Sequence, residues 1–195
     1  MPATSAEKRG ALLEAKRLEL EGLARRGVRV CGNAFSSIVL VKGALNAEER
    51  SGGDILGGAD GVALRAALER LGYPPEDFCA LSALAGVGEA GVVATVEPGD
   101  PLPPELFRWV LETLDPEAVV LLDDEAASAM REAYAEELAQ IEQFDVAMLE
   151  PGFVARVLGR RVLALGGFEA VLGDAQAKQR AWAYLKQVPP LGSPL

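Results

Sequence analysis

Glu48, Glu49 and Asp54 stand close together in the stretch KGALNAEERSGGDILGGADGVAL, and Glu169 follows a later apolar run, in LALGGFEAVLGD. A carboxylate placed just beyond a strand can activate a water or protonate a leaving group, so these four are the candidates for hydrolytic chemistry. The same residues equally suit loop surfaces and helix starts. The usual companions of such chemistry are scarce. The chain has no histidine and only two cysteines, Cys31 and Cys79, with no paired spacing that would suggest a metal knuckle or a disulfide framework. Two buried thiols are the simpler reading, and no metal or other cofactor is expected. Gly52, Gly53, Gly57, Gly58 and Gly61 would let backbone approach a ligand or simply make tight turns. No Walker lysine follows them, and GGADG does not fit the dinucleotide fingerprint. A structural turn and a remodelled small-ligand pocket both stay open.

The elements that must position these residues are short apolar runs separated by helical stretches. Strands are expected at Ser37 to Val41, Phe78 to Leu81, Ala118 to Leu122 and Arg161 to Leu165, with helices at Gly61 to Leu71, Pro104 to Leu114, Asp124 to Ala139 and Asp174 to Gln187. Runs that are apolar throughout suit strands buried on both faces, and the alternation predicts an α/β fold: a three-layer α/β/α sandwich around a central, mainly parallel four-stranded sheet. Residues 1–30 read as an N-terminal helix, with Gly27 placed where a helix stops. Gly86 to Pro104 reads as a long loop. Residues 1–188 form one expected domain, and 189–195 a tail.

Half of the 195 residues are apolar, and no apolar run approaches the roughly 18 residues of a membrane span. The charged N-terminus does not read as a signal peptide, so a cytoplasmic protein without membrane contact is expected. The net charge of −10 is unevenly spread: +3 over residues 1–50, −17 over 51–150 and +4 over 151–195. A duplex-binding protein offers a basic face to phosphates, so an acidic centre makes nucleic acid an unlikely or weak partner. The acidity serves solubility or a basic partner.

Taken in order, these pieces resemble the uracil-DNA glycosylase superfamily, and in particular its thermostable, iron-sulfur-containing group of short bacterial and archaeal enzymes. The resemblance covers most of the chain. In that group the first strand runs into a Gly-Glu-Ala-Pro-Gly-like loop, followed by Gly-Arg-Pro-Phe-Val-Gly-x-Ala-Gly-x-Leu-Leu. Here the same places read KGALNAEE and GDILGGADGVAL, with Gly53, Gly58, Gly61 and Leu64 on the family's glycines and final leucine. AVVLLDDEAASAM is similar to the family's third strand and its alanine-rich helix, with Asp123 in the glycine place as a helix cap. Ala177, Lys178, Trp182 and Leu185 match the downstream Ala-Lys-x-x-x-Trp-x-x-Leu helix.

The chemical positions depart from that pattern. The resemblance puts Gly43 where the family has the water-handling carboxylate, near Asn46, and Leu56 where it has the phenylalanine that stacks on the flipped base. Ser82 is the nearest counterpart of the base-reading asparagine. Gly167 and Phe168 stand in the histidine and proline places of the His-Pro-Ser motif, Glu169 in the serine place, and Gly173 replaces an arginine. The family's four cluster cysteines cannot come from two. Losing an oxyanion donor and a general base together costs about 10⁴ or more in rate. The resemblance therefore implies a catalytically degenerate, non-enzymatic module that binds an unknown protein or small ligand. The alternative is a divergent glycosylase or hydrolase with a relocated carboxylate, Glu48, Glu49, Asp54 or Glu169.

Overall fold

The computed structural model describes residues 5–89, 92 and 96–192. A six-stranded mixed sheet runs through it, with β1 (Val30–Gly32), β2 (Ile38–Lys42), β3 (Cys79–Ser82), β4 (Ala118–Leu121), β5 (Val154–Val157) and β6 (Arg160–Ala164) in the spatial order β1-β3-β2-β4-β6-β5. The four inner strands pair in parallel, while β1 and β5 run antiparallel along the two edges. The expected count of four strands is thus corrected to six. Both additions are short edge strands without an apolar run of their own. β5 turns into β6 through Leu158 and Gly159, both at positive φ, the backbone of a tight two-residue hairpin.

Residues alternate along the inner strands between two hydrophobic clusters. Val39, Val41, Leu81, Val119, Leu121 and Val162 pack beneath α1 (Ser5–Arg25), α4 (Pro104–Leu114) and α5 (Asp124–Ala133), through Leu23, Phe107, Leu111 and Met130. Ile38, Leu40, Ala80, Val120 and Leu163 face the other way, toward α3 (Ala59–Leu71), α8 (Phe168–Val171) and α9 (Ala175–Leu185), through Leu64, Leu68, Phe168 and Leu185. Because α3 follows β2 on one face and α5 follows β4 on the other, the crevice of this sheet opens between the carboxyl ends of β2 and β4.

Several boundaries differ from the expected ones. The N-terminal helix ends at Arg25, where Gly27 takes φ +92°, and β1 occupies the end of the predicted 1–30 segment. The helix expected from Asp124 to Ala139 breaks at Tyr134, whose fully buried ring lies beside Arg108 and whose hydroxyl reaches Glu112; α6 (Ala135–Leu138) continues beyond it. The short helices α2 (Ala47–Arg50) and α7 (Phe144–Ala147) complete the elements. Of the expected loop Gly86 to Pro104, residues 90, 91 and 93–95 lie outside the described residues; Leu84 and Pro101 are joined by an isolated bridge. Of the expected tail, 193–195 also lie outside, while its start is held where Arg161 Nη1 donates to the Pro189 carbonyl at 2.6 Å. Among the described residues no helix is long and apolar enough to cross a membrane.

Candidate functional site

Lys42 ends β2 in phase with Ile38 and Leu40, so its side chain leaves the strand on the same face and stays buried. Its Nζ lies 2.6 Å from Asp60 Oδ2, 2.9 and 3.0 Å from the two Glu49 oxygens, and 3.2 Å from Glu169 Oε2. One ammonium thus gathers three carboxylates from three elements at the head of the crevice. Burial alone would lower the Lys42 pKa. The hydrogen bonds with Asp60 and Glu49 outweigh that effect and hold it above the usual lysine range.

The two buried acids have further partners. Glu49 also accepts the amide N–H groups of Asn46 and Leu56, each at 2.8 Å, and Asn46 Oδ1 accepts from Glu49 N at 2.9 Å. That reciprocal pair is a capping box at the start of α2. Asp60 sits in the first turn of α3 and accepts from Gly61 N at 2.8 Å. Arg29 clamps the same loop from behind, donating to the carbonyls of Glu49 and Gly53 at 2.7 and 2.6 Å. Asp123 caps α5 through Ala126 N at 2.9 Å and also accepts from the amides of Gly43 and Ala44, each at 2.9 Å. A cavity of about 340 Å³ remains in front of this group, lined by Lys42, Ala44, Asp60, Leu122, Asp123 and the run from Gly167 to Ala170.

The structure distributes the candidate residues unequally. Glu49 and Glu169 meet at Lys42, whereas Glu48 is exposed on α2 and Asp54 on the loop that follows, where the Cys31 thiol lies 3.9 Å from Asp54 Oδ1. Glu49 is a cap and an ion-pair partner with both oxygens engaged. Glu169 is half exposed at the cavity mouth. Asn46 belongs to the capping box rather than to a pocket. Leu56 and Phe168 are buried in the hydrophobic cluster under α3 and α9, and Phe168 also lines the cavity. Ser82 is buried, and its hydroxyl donates to the Leu84 carbonyl at 2.7 Å while accepting from Leu84 N at 3.0 Å. Gly43 has no room for a side chain: a Cβ there would overlap the Cβ of Glu125 and lie 3.1 Å from Asp123 Oδ1. Gly167 faces open space but takes φ +99°.

The sequence reading missed Lys42 and Asp60. The available signal was a lysine in core phase at the end of IVLVK, which required buried counter-charges nearby. Cys31 and Cys79 lie on neighbouring strands as free thiols, and burial pushes the Cys79 thiol up to about 12. Among the described residues no group of three or more histidines, cysteines or acids is placed to hold a metal ion. No protein-family model matches this sequence, and no curated protein matches it.

Proposed function

We propose that this chain is a uracil-DNA glycosylase-like α/β sandwich whose base-excision chemistry has been lost and whose crevice is narrowed by its own side chains to a cavity of about 340 Å³, leaving a non-enzymatic binding or interaction module. The observation that carries this reading is the Lys42 knot. A flipped base needs an open, dry slot with unsatisfied donors and acceptors on its walls. Here Glu49, Asp60 and Lys42 satisfy one another, Ser82 is satisfied locally, and Leu56 and Phe168 are packed in the core.

The relocated-carboxylate alternative narrows to Glu169, the one candidate acid at the cavity mouth that keeps solvent access, although it already faces Lys42. The test is a labelled uracil-containing oligonucleotide incubated with excess protein from a host lacking its own uracil-DNA glycosylase, then treated with alkali to cleave abasic sites. No cleavage above background is expected, from single- or double-stranded substrate. Gly167→His is expected to restore none, because groups that act as a unit are not rescued one at a time. Cleavage that scales with protein concentration and disappears in Glu169→Gln would replace this reading with the enzymatic one.

A further inference from the structure

A groove of about 420 Å³ lies on the flank of the molecule, between α3 and α9. The side of α3 that faces it carries Ala63, Ala66 and Ala67, whose methyl groups are too short to meet the opposite wall. That wall holds the half-buried Trp182 of α9, and Phe168 and Leu172 join the groove to the hydrophobic cluster beneath. A concave, mostly apolar space of this size with a few polar groups at its edge has the make-up of a small-molecule site. Phe168 is the one residue that lines both this groove and the crevice cavity, so the two are separate spaces on either side of its ring.

Charge indicates what the groove takes. The charged residues that line it are both basic, Arg70 on the α3 wall and Lys178 on the α9 wall. Both are exposed, and no acid among the described residues pairs with either. The acids nearest in sequence are engaged or turned away. Asp174 accepts the amides of Gln176 and Ala177 at the start of α9, and Glu169 faces Lys42. Glu69 leaves α3 about 100° around the helix from Arg70, away from the side that Ala63, Ala66 and Ala67 share. In a chain of net charge −10, an apolar groove edged by two unpaired cations and no acid is a local exception.

We propose that this groove binds an amphipathic organic anion of small-molecule size: an aliphatic or aromatic body carrying a carboxylate or a like acid group. The body would lie on the three alanines and Trp182, where burial removes apolar surface from water, and the acid group would meet the cations at the rim. A neutral ligand leaves both cations unused, and a cationic one is repelled by them. The site is independent of the crevice, so the outcome of the base-excision assay does not bear on it.

The test is a fluorescence titration of the full chain with 8-anilinonaphthalene-1-sulfonate, an aromatic anion that brightens in apolar surroundings. One saturable site with a Kd of about 10–100 µM is expected in protein that still melts cooperatively. Lys178→Glu and Arg70→Glu should each weaken it roughly threefold and together roughly tenfold, while binding of the uncharged analogue N-phenyl-1-naphthylamine stays unchanged. Both positions are exposed, so the fold should tolerate the reversals. Ala66→Phe, which fills the groove from an exposed position, should abolish binding of both dyes. Decanoate should displace the anionic dye, and decyltrimethylammonium should not. Absence of saturable binding overturns the proposal, as does a site indifferent to the charge reversals or to Ala66→Phe. A response confined to protein without a cooperative melt is dye on a loosened chain and overturns it too. A dimer in light scattering that Ala66→Phe dissociates would give the groove to a second copy and also overturn it.

Discussion

Replacing Lys42 with methionine should be among the most damaging single changes in the molecule. The substitution preserves most of the side-chain volume but removes the ammonium from three carboxylates 2.6 to 3.2 Å away. Glu49 and Asp60 are almost fully buried and would be left with no cation beside them. Removing one partner of a buried ion pair costs about 3–5 kcal/mol. For a chain of this size each kcal/mol moves the melting temperature by roughly 2–4 °C, so a fall of about 10 °C is expected. Neutralising the knot instead, with Lys42→Met, Glu49→Gln and Asp60→Asn together, should recover most of the loss, because no charge is then left buried. Glu169→Gln should stay within about 1 kcal/mol of wild type, since its carboxylate is half in water.

Urea unfolding monitored by tryptophan fluorescence ranks the variants, and pH supplies a second axis. Because the folded-state pKa of Lys42 is raised, the stability that its charge contributes is fully present below the ordinary lysine pKa, about 10.4, and is lost as pH rises above it. The difference between wild type and the neutralised triple variant should therefore be flat through neutral pH and shrink in the alkaline range. A Lys42→Met protein as stable as wild type, or a Glu169→Gln variant as damaged as Lys42→Met, would refute the buried knot.

Gly61→Ala should unfold the chain or nearly so, since its Cβ would penetrate the Leu56 carbonyl, whereas Gly167→Ala faces open space and should lose only the roughly 1–2 kcal/mol of a left-handed backbone; thermal melts separate the two. Ellman's reagent should titrate Cys31 rapidly in the native protein and Cys79 only after denaturation, because burial keeps the Cys79 thiol protonated; the purified protein should be colourless and free of iron. Duplex DNA should bind no more tightly than about 10⁻⁴ M at physiological salt by fluorescence anisotropy, because Lys16, Arg17, Arg25 and Arg26 are engaged within the fold rather than arrayed on one free face. Tight, salt-sensitive binding would contradict that reading.

The inner sheet was legible because its strands are buried on both faces and so read as unbroken apolar runs, IVLV and AVVLL. Caps were legible too: Asp123 and Asp174 each accept amides of the helix they precede. The edge strands were not. Val30–Gly32 is only three residues long, and in Val154–Val157 the exposed Arg156 interrupts the pattern. Their pairing is decided by neighbours distant in sequence. The break at Tyr134 was illegible for a similar reason, since EAYAEEL has good helical propensity and only tertiary burial of the ring ends the helix. At the crevice, the resemblance pointed to Gly43, Leu56, Ser82 and Gly167 as the positions that depart from the family pattern. It did not single out Lys42 and Asp60, although both lie within the compared stretches KGALNAEE and GDILGGADGVAL, because neither falls on a position to which the pattern assigns a role.

The Lys42 knot follows from the backbone. In an open parallel sheet, helix N-termini converge at the carboxyl ends of the strands and present unpaired N–H groups that attract a negative ligand. Here α3 and α5 begin at that place, and the chain supplies the negative charge itself: Asp60 in the first turn of α3, Asp123 at the head of α5. Asp123 accepts three separate amides, two of them from the loop that leaves β2. Asp60 and Glu49, held at the same point of the crevice, would repel one another without a cation. Lys42 at the end of β2 is the cation within reach of Asp60 and Glu49. The knot is thus self-consistent, and each member is explained by another. Removing any one exposes the requirement it met, which makes Lys42→Met and its neutralised triple counterpart a direct measure of how far the head of the crevice serves as structural core.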